Sequence, residues 1–385
     1  MKQPAITCIG IVADDLTSAT DGAAPFLPKG YAPLIAQGVA GALQSALVAV
    51  DTNSRALIES EAAQAVASAI SSMRDRPILL KTVDSTLRGH IRSEIAAAFQ
   101  ASGRRRLVVA PAFPDVGRLT RGGIQFVHGT PVSDSDYGSD PVHPARTSHI
   151  GDLIEPSLGS PRVLSADASQ GAFEQAASTP VIVLDADSQA MLNRQVARIP
   201  DPQDTLWVGS PGLAIALASM MPADLHDSST DRMPHRRALV VAGSANRVTH
   251  AQCLTLEDAG IPVIENLAEA PRDFPIICLR APMHRQNDSA SVLDSIAAHS
   301  AAALALKDYD VVIATGGETI SAILERLGIS HFRLTRELEP GFPVGLAELP
   351  DGALLTVALK AGGFGSPITL LDAALALTPI VDLAR

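Results

Sequence analysis

Three groups of residues in this chain have the types and spacing to do chemistry. Asp14 and Asp15 stand side by side where the apolar run ITCIGIVA ends. A helix cap accounts for one carboxylate, because Asp15 or Thr17 can accept the first free amides of a following helix. Two adjacent carboxylates exceed that need, which marks Asp14 as a candidate for a functional role. The second group lies in KTVDSTLRGHIRSEI, Lys81 to Ile95, directly after PILL. Lys81 and Arg88 put two cations at a strand end, and an arginine can grip a carboxylate through two parallel hydrogen bonds. That pattern suits an acidic ligand. The alternative is a solvated helix start, capped by Asp84, Ser85 or Thr86, with an arginine paired to Glu94. It leaves Lys81 without a local role. His90 reads equally well as packing.

The third group is a set of strand–glycine–helix turns: VVAGSANRVTH, VVIATGGETIS and VALKAGGFGSP. Glycine lets backbone amides approach an anion, and a helix N-terminus adds a favourable dipole. None matches the G-x-x-x-x-G-K-[ST] loop or a G-x-G-x-x-G turn after a strand. One such turn can be steric, whereas three in one half of the chain point to a nucleotide phosphate site. Metal-ligand spacing of Cys and His is absent, as is a G-x-S-x-G elbow.

These groups need strands to hold them. ITCIGIVA, APLIAQ, SALVAVDT, PILLKTV, RRLVVAPAF and TPVIVLDA are continuously apolar and are separated by helix-length segments such as ESEAAQAVASAISSMR and RSEIAAAFQASG. This predicts an α/β protein with mainly parallel sheets flanked by helices. Pro111 to Pro156, rich in Gly and Pro, reads as a long loop system of the kind that usually serves function. LWVGSPGLAIALASMMPA is a strand, a turn and a core helix rather than a membrane span. The polar segment ADLHDSSTDRMPHRR has linker composition. Two domains follow, residues 1–230 and 231–385, with ligand expected in an interdomain cleft.

The chain has 385 residues, 46% hydrophobic and 18% charged, and a net charge of −11. That is a globular composition, and its acidity argues against binding nucleic acid. Aromatics at 3% make base-stacking platforms a poor fit as well. Three widely spaced cysteines read as reduced core thiols. The expectation is a soluble cytoplasmic protein with no membrane span, compatible with a homo-oligomer.

The segments ADDLTSATDGAAPF, KTVDSTLRGHIRSEI, VVAPAFPDVGRLTRGGIQFVHG, DPVHPARTSHIGDLI, GSAN, ATGGET and ALKAGGFGSP occur in this order. Together they resemble the four-carbon acid sugar kinases over nearly the whole chain. The resemblance implies an N-terminal domain for a sugar acid such as threonate, erythronate or 3-oxo-tetronate. It implies a C-terminal domain for ATP with Mg²⁺, and phosphorylation of the 4-hydroxyl. Asp14 matches the family's strand-end aspartate, with Asp15 beside it as a substrate contact. Lys81, Asp84, Ser85 and Arg88 match its substrate-side loop. Ser244, the Gly316, Gly317, Glu318 and Thr319 loop, and Gly362 with Gly363 match its nucleotide turns. Ser18 stands where family members commonly carry Gly. On this reading Asp14 is the first choice for the base and Asp84 the second, with Arg88, Lys81 and Ser85 holding the substrate carboxylate. The alternatives are a non-catalytic regulatory protein that binds nucleotide or sugar acid, and a lyase using Lys81 as a Schiff base.

Overall fold

A computed structural model describes residues 7–38, 44–140, 142–176, 178–222, 237–243, 246–271, 273–282 and 289–378. Contacts divide the chain into two units, Met1–Asp227 and Ser228–Arg385. Residues 223–236, the polar segment expected to join two domains, lie outside the described residues.

The first unit is built on strands β1 (Ile9–Ala13), β2 (Leu34–Gln37), β3 (Leu47–Asp51), β4 (Ile78–Thr82), β5 (Arg106–Ala110), β9 (Arg162–Leu164), β10 (Val181–Leu184) and β11 (Thr205–Gly209). They pair in the order 2-3-1-4-11-5-10-9, all parallel. Every residue of β1, β3, β4, β5, β10 and β11 is buried, as expected for strands covered on both faces. Helix α1 (Leu16–Ala23) follows β1, α2 (Glu59–Ser72) precedes β4 and α3 (Ile91–Ser102) follows it. In α2 the small and apolar residues Ala62, Val66, Ala69 and Ile70 recur at helical spacing and face the core. Gly103 ends α3 in the left-handed conformation. Helices α4 (Gln170–Ala176), α5 (Gln189–Val196) and α6 (Pro211–Met220) complete this unit.

From β1 the chain runs to β2 and β3 on one side, and β4 lies on the other. The carboxyl ends of β1 and β4 therefore flank a topological switch point, where ligands of open parallel sheets bind. Both carboxylate-bearing groups of the first half sit there.

Two sequence expectations change. The Pro111–Pro156 segment contains a three-stranded antiparallel sheet, β6 (Arg118–Arg121), β7 (Ile124–Val127) and β8 (Thr130–Pro131), rather than loops alone. Its strands are two to four residues long and rich in glycine between them, so their period-2 signal is too short to read. Among the cysteines, Cys253 and Cys278 are buried, but Cys8 is exposed.

The second unit orders its strands 13-14-12-15-18-17-16: β12 (Ala238–Ala242), β13 (Val263–Ile264), β14 (Ile276–Arg280), β15 (Val311–Thr315), β16 (His331–Glu337), β17 (Pro343–Glu348) and β18 (Leu354–Lys360). The first five in that order are parallel, while β17 runs antiparallel to both β18 and β16. The β16–β17 hairpin was not legible in the sequence. Helices α7 (Arg247–Asp258), α8 (Ser289–Ala305), α9 (Gly317–Arg326) and α10 (Thr369–Leu377) accompany this sheet. Among the described residues no helix is long and apolar enough to cross a membrane.

Candidate active site

At the tip of β1, Asp14 is 4% exposed. Its Oδ2 accepts hydrogen bonds from Arg55 Nε at 2.9 Å and Nη2 at 2.7 Å. Its Oδ1 is buried and has no hydrogen-bond partner among the described residues. Burial works to raise this carboxyl. The charges of Arg55 and Lys81, with help from Arg55's hydrogen bonds, outweigh burial and hold it below the usual carboxylate range. Asp15 has a different role. Its Oδ1 caps α1, accepting from Ser18 N at 2.7 Å and Thr17 Oγ1 at 2.8 Å, and its Oδ2 meets Arg55 Nη1 at 2.5 Å. Arg55 thus clamps both acids, and it was absent from the sequence-based site. Its turn carries Asn53 in the left-handed region, a local irregularity that sequence alone does not display.

At the tip of β4, Lys81 is fully buried. Its Nζ reaches Glu94 Oε2 at 2.8 Å and donates to the Thr82 carbonyl at 2.7 Å. The other Glu94 oxygen accepts from Ser54 Oγ at 2.6 Å. The sequence expectation puts Lys81 against the substrate carboxylate; in the structure its ammonium is enclosed and paired with Glu94. Glu94 therefore pairs with Lys81, not with an arginine as in the alternative helix-start reading.

Asp84, Ser85 and Thr86 do not cap a helix, since α3 starts only at Ile91. Leu87, with φ 57°, and Gly89, with φ 102°, are left-handed and keep the chain out of helix before that point. Left-handed backbone at a buried leucine is strained, and such strain gathers at functional sites. In this turn both oxygens of Asp84 are engaged. Its Oδ1 accepts from Thr86 N at 2.9 Å, and its Oδ2 from Thr86 Oγ1 at 2.8 Å and Arg88 Nε at 2.6 Å. Arg88 Nη1 also approaches Asp140 Oδ2 at 3.3 Å, and its guanidinium lies 5.2 Å from the centre of the Tyr137 ring. The half-buried Ser85 gives its carbonyl to Gln125 Nε2 at 2.7 Å. His90 donates Nε2–H to the Leu57 carbonyl at 2.8 Å, a packing role. Gly89 lies close to Asp14, since a Cβ there would sit 3.6 Å from Asp14 Oδ2. The β1 and β4 tips therefore form one site.

In the second unit the glycine turns follow β12, β15 and β18, three neighbouring strands. Gly316, with φ 94°, opens α9 and donates its N–H to the Lys360 carbonyl at 2.9 Å. Any side chain at Gly243 would collide with Thr319, so the turn after β12 packs on the one after β15. The Thr319 side chain is buried in this packing. The last turn is tied to α7: Thr249 Oγ1 donates to the Gly362 carbonyl at 2.8 Å, and Gln252 Nε2 to the Ser366 carbonyl at 2.8 Å. A Cβ at Gly363 would meet Asn246 Nδ2 at 3.2 Å. All three turns converge, and Gly317 and the exposed Glu318 occupy the first turn of α9. Ser244 lies outside the described residues. Lys360, missed in the sequence, is 1% exposed and donates Nζ–H to the Ala361 and Phe364 carbonyls at 3.1 and 3.0 Å. Burial brings its pKa down to about 8. Among the described residues no three His, Cys, Asp or Glu side chains cluster to hold a metal.

Two family models match the chain. Residues 9–217 match a sugar-binding N-terminal domain, and residues 278–370 a nucleotide-binding C-terminal domain. D-threonate kinase of Bordetella bronchiseptica is 34% identical across 96% of this chain and 97% of the relative. 3-Oxo-tetronate kinase of Methylobacterium radiotolerans is 27% identical across 93% and 96%. D-erythronate kinase of Heliobacterium modesticaldum is 27% identical across 65% and 60%. The fold is shared with crystal structures from Salmonella typhimurium, TM-score 0.79 at 22% identity over 95% and 98% of the two chains, and from Haemophilus influenzae, TM-score 0.73 at 20% identity over 94% and 98%. With both halves matched and a third of the residues shared end to end with one kinase, the chain belongs to the four-carbon acid sugar kinase family.

Proposed function

We propose that this kinase transfers the terminal phosphoryl group of ATP to the 4-hydroxyl of a four-carbon sugar acid of the threonate, erythronate or 3-oxo-tetronate class. The observation that carries the reading is the free Oδ1 of Asp14. A buried, ionised oxygen without a donor is costly, and a substrate hydroxyl would supply the missing bond. The hydroxyl would then lie against the atom that takes its proton. Asp84 lacks a comparable free oxygen, which favours Asp14 as the base. Arg55 orients that carboxylate, Asp15 fixes Arg55, and Lys81 acts as a buried charge that keeps Asp14 ionised. Ser85 and Arg88 form the wall on which the substrate rests.

In this reading the unit Met1–Asp227 carries the acid and Ser228–Arg385 the nucleotide. The turns at Gly317, Glu318 and Thr319, and at Gly362 and Gly363, offer backbone N–H groups to phosphate oxygens at the start of α9 and after β18, while Gly316 shapes the first turn and ties it to β18 through the Lys360 carbonyl. Mg²⁺ bound with ATP would neutralise charge on the phosphoryl oxygens. With no protein cage among the described residues, the donor set suits a cation held mainly by phosphates. Glu318 is the exposed carboxylate beside them. Positioning and electrostatics then supply most of the rate.

A lysine-dependent lyase needs a substrate-accessible amine, and Lys81 is enclosed and paired with Glu94. ADP release should be screened with the full chain across the isomers of threonate, erythronate and 3-oxo-tetronate. Release that depends on one of these acids is expected. Folded protein that consumes ATP with none of them overturns the proposal.

A further inference from the structure

The charges at the tips of β1 and β4 are already committed to one another. Arg55 is paired with Asp14 and Asp15, Lys81 with Glu94, and Arg88 with Asp84 and Asp140, so three cations face five carboxylates. An anionic substrate finds no spare positive charge in that set. Like charges held together cost free energy, so the substrate carboxylate needs a cation that no protein acid neutralises.

Arg118 answers that description. It stands on β6, in the antiparallel excursion, and its guanidinium lies 5.1 Å from the centre of the Tyr137 ring that Arg88 also approaches. Its Nη2 donates to Tyr137 Oη at 2.9 Å. Its Nη1 is buried with no hydrogen-bond partner, and among the described residues Arg118 forms no ion pair. Tyr137 Oη accepts from Arg118, which leaves its own proton to donate elsewhere. Arg118 Nη1–H and Tyr137 Oη–H are thus two unspent donors on adjoining groups, suited to the two oxygens of one carboxylate. Arg88, held to Asp84 and Asp140, sets the place of the ring between them.

We infer that Arg118, with the Tyr137 hydroxyl, receives the carboxylate of the sugar acid and so determines that acids rather than uncharged tetritols are accepted. The inference rests on the proposed kinase reading and moves the anion site from the β4 tip to the sheet that covers it. The Pro111–Pro156 excursion thereby gains a role, because it brings an uncommitted guanidinium to a strand tip whose own cations are paired.

The test uses the full chain and titration calorimetry with threonate, erythronate and 3-oxo-tetronate, alongside threitol and erythritol as uncharged probes. Arg118→Gln should weaken the bound acid about ten- to a hundredfold. The KM for ATP and the weak binding of the tetritols should not move. Arg118→Lys should recover part of the loss, and Tyr137→Phe should cost less than Arg118→Gln. Acid affinity unchanged in folded Arg118→Gln overturns the inference, as does an equal loss for acid and tetritol. Should Arg118→Gln fail to fold, wild-type acid affinity in Tyr137→Phe overturns it instead. Wild-type protein that binds none of the acids overturns the kinase reading itself, a result separate from either of these.

Discussion

Lys81 and Lys360 stand at the carboxyl ends of β4 and β18, one in each unit, and each is withdrawn from solvent. Both donate to carbonyls that follow them in the chain, Lys81 to Thr82 at the end of β4 and Lys360 to Ala361 and Phe364 in the turn after β18. They differ in what balances the charge. Lys81 has the Glu94 carboxylate at 2.8 Å, whereas among the described residues Lys360 has carbonyls alone within hydrogen-bond reach, and its pKa is pushed down to about 8. The first unit builds its site from charged side chains locked into pairs. The second builds its site from backbone, with a lysine tying a glycine turn in place. A sugar acid has hydroxyls and a carboxylate that demand directional side-chain partners, while phosphates are met by a cradle of amides.

Breaking the charged site at its free oxygen should have the largest effect. Asp14→Asn should lower turnover by about 10²–10⁴, the range for a positioned general base, while ADP binding in the second unit stays unchanged. Steady-state kinetics with ADP titration checks both halves. Wild-type turnover in Asp14→Asn together with loss in Asp84→Asn would reverse the choice of base.

Removing the balance from Lys81 comes next. Glu94→Gln leaves a buried ammonium without its counter-ion, and breaking such a pair costs about 3–5 kcal/mol of stability. Denaturant unfolding should show this loss. Pairing it with Lys81→Met should restore much of it, because the orphaned charge is then gone. Destabilisation by Glu94→Gln of less than about 1 kcal/mol would show that the pair contributes little.

Lys360 offers the smaller, pH-dependent contrast. Its folded pKa is depressed to about 8 against 10.5 for the free side chain. Below about 8 the lysine is charged in both states, and the fold carries the whole cost of burying it. Between about 8 and 10.5 the folded protein has released the proton that the unfolded chain still binds, so rising pH stabilises the fold at this site. The stability of wild type relative to Lys360→Met should therefore increase over that window, by at most about 3 kcal/mol. Thermal unfolding of both proteins from about pH 7 to about pH 10.5 measures it, and a constant difference would mean that Lys360 holds its proton throughout.

Much of this molecule was legible in its sequence. Continuous Val, Ile and Leu runs separated by helical patterns announce parallel strands, because a strand covered on both faces needs no polar alternation. The strand-end polar groups were legible for a related reason: Asp14, Asp84, Arg88 and the glycine turns break an apolar run where the backbone leaves the sheet. Tertiary structure alone decided the partnerships. Arg55 reaches Asp14 across 41 positions, Lys81 turns inward to Glu94 from α3, and Arg88 meets Asp140 across 52. Nothing local in the sequence encodes such pairs, since they arise from how separate strands and loops are stacked. The β6–β7–β8 sheet and the β16–β17 hairpin escaped for the same reason, their pairing being settled by packing more than by pattern. Residue types showed where polar chemistry collects. The folded chain decided which polar atoms are spent on one another and which, Asp14 Oδ1 and Arg118 Nη1, have no partner among the described residues.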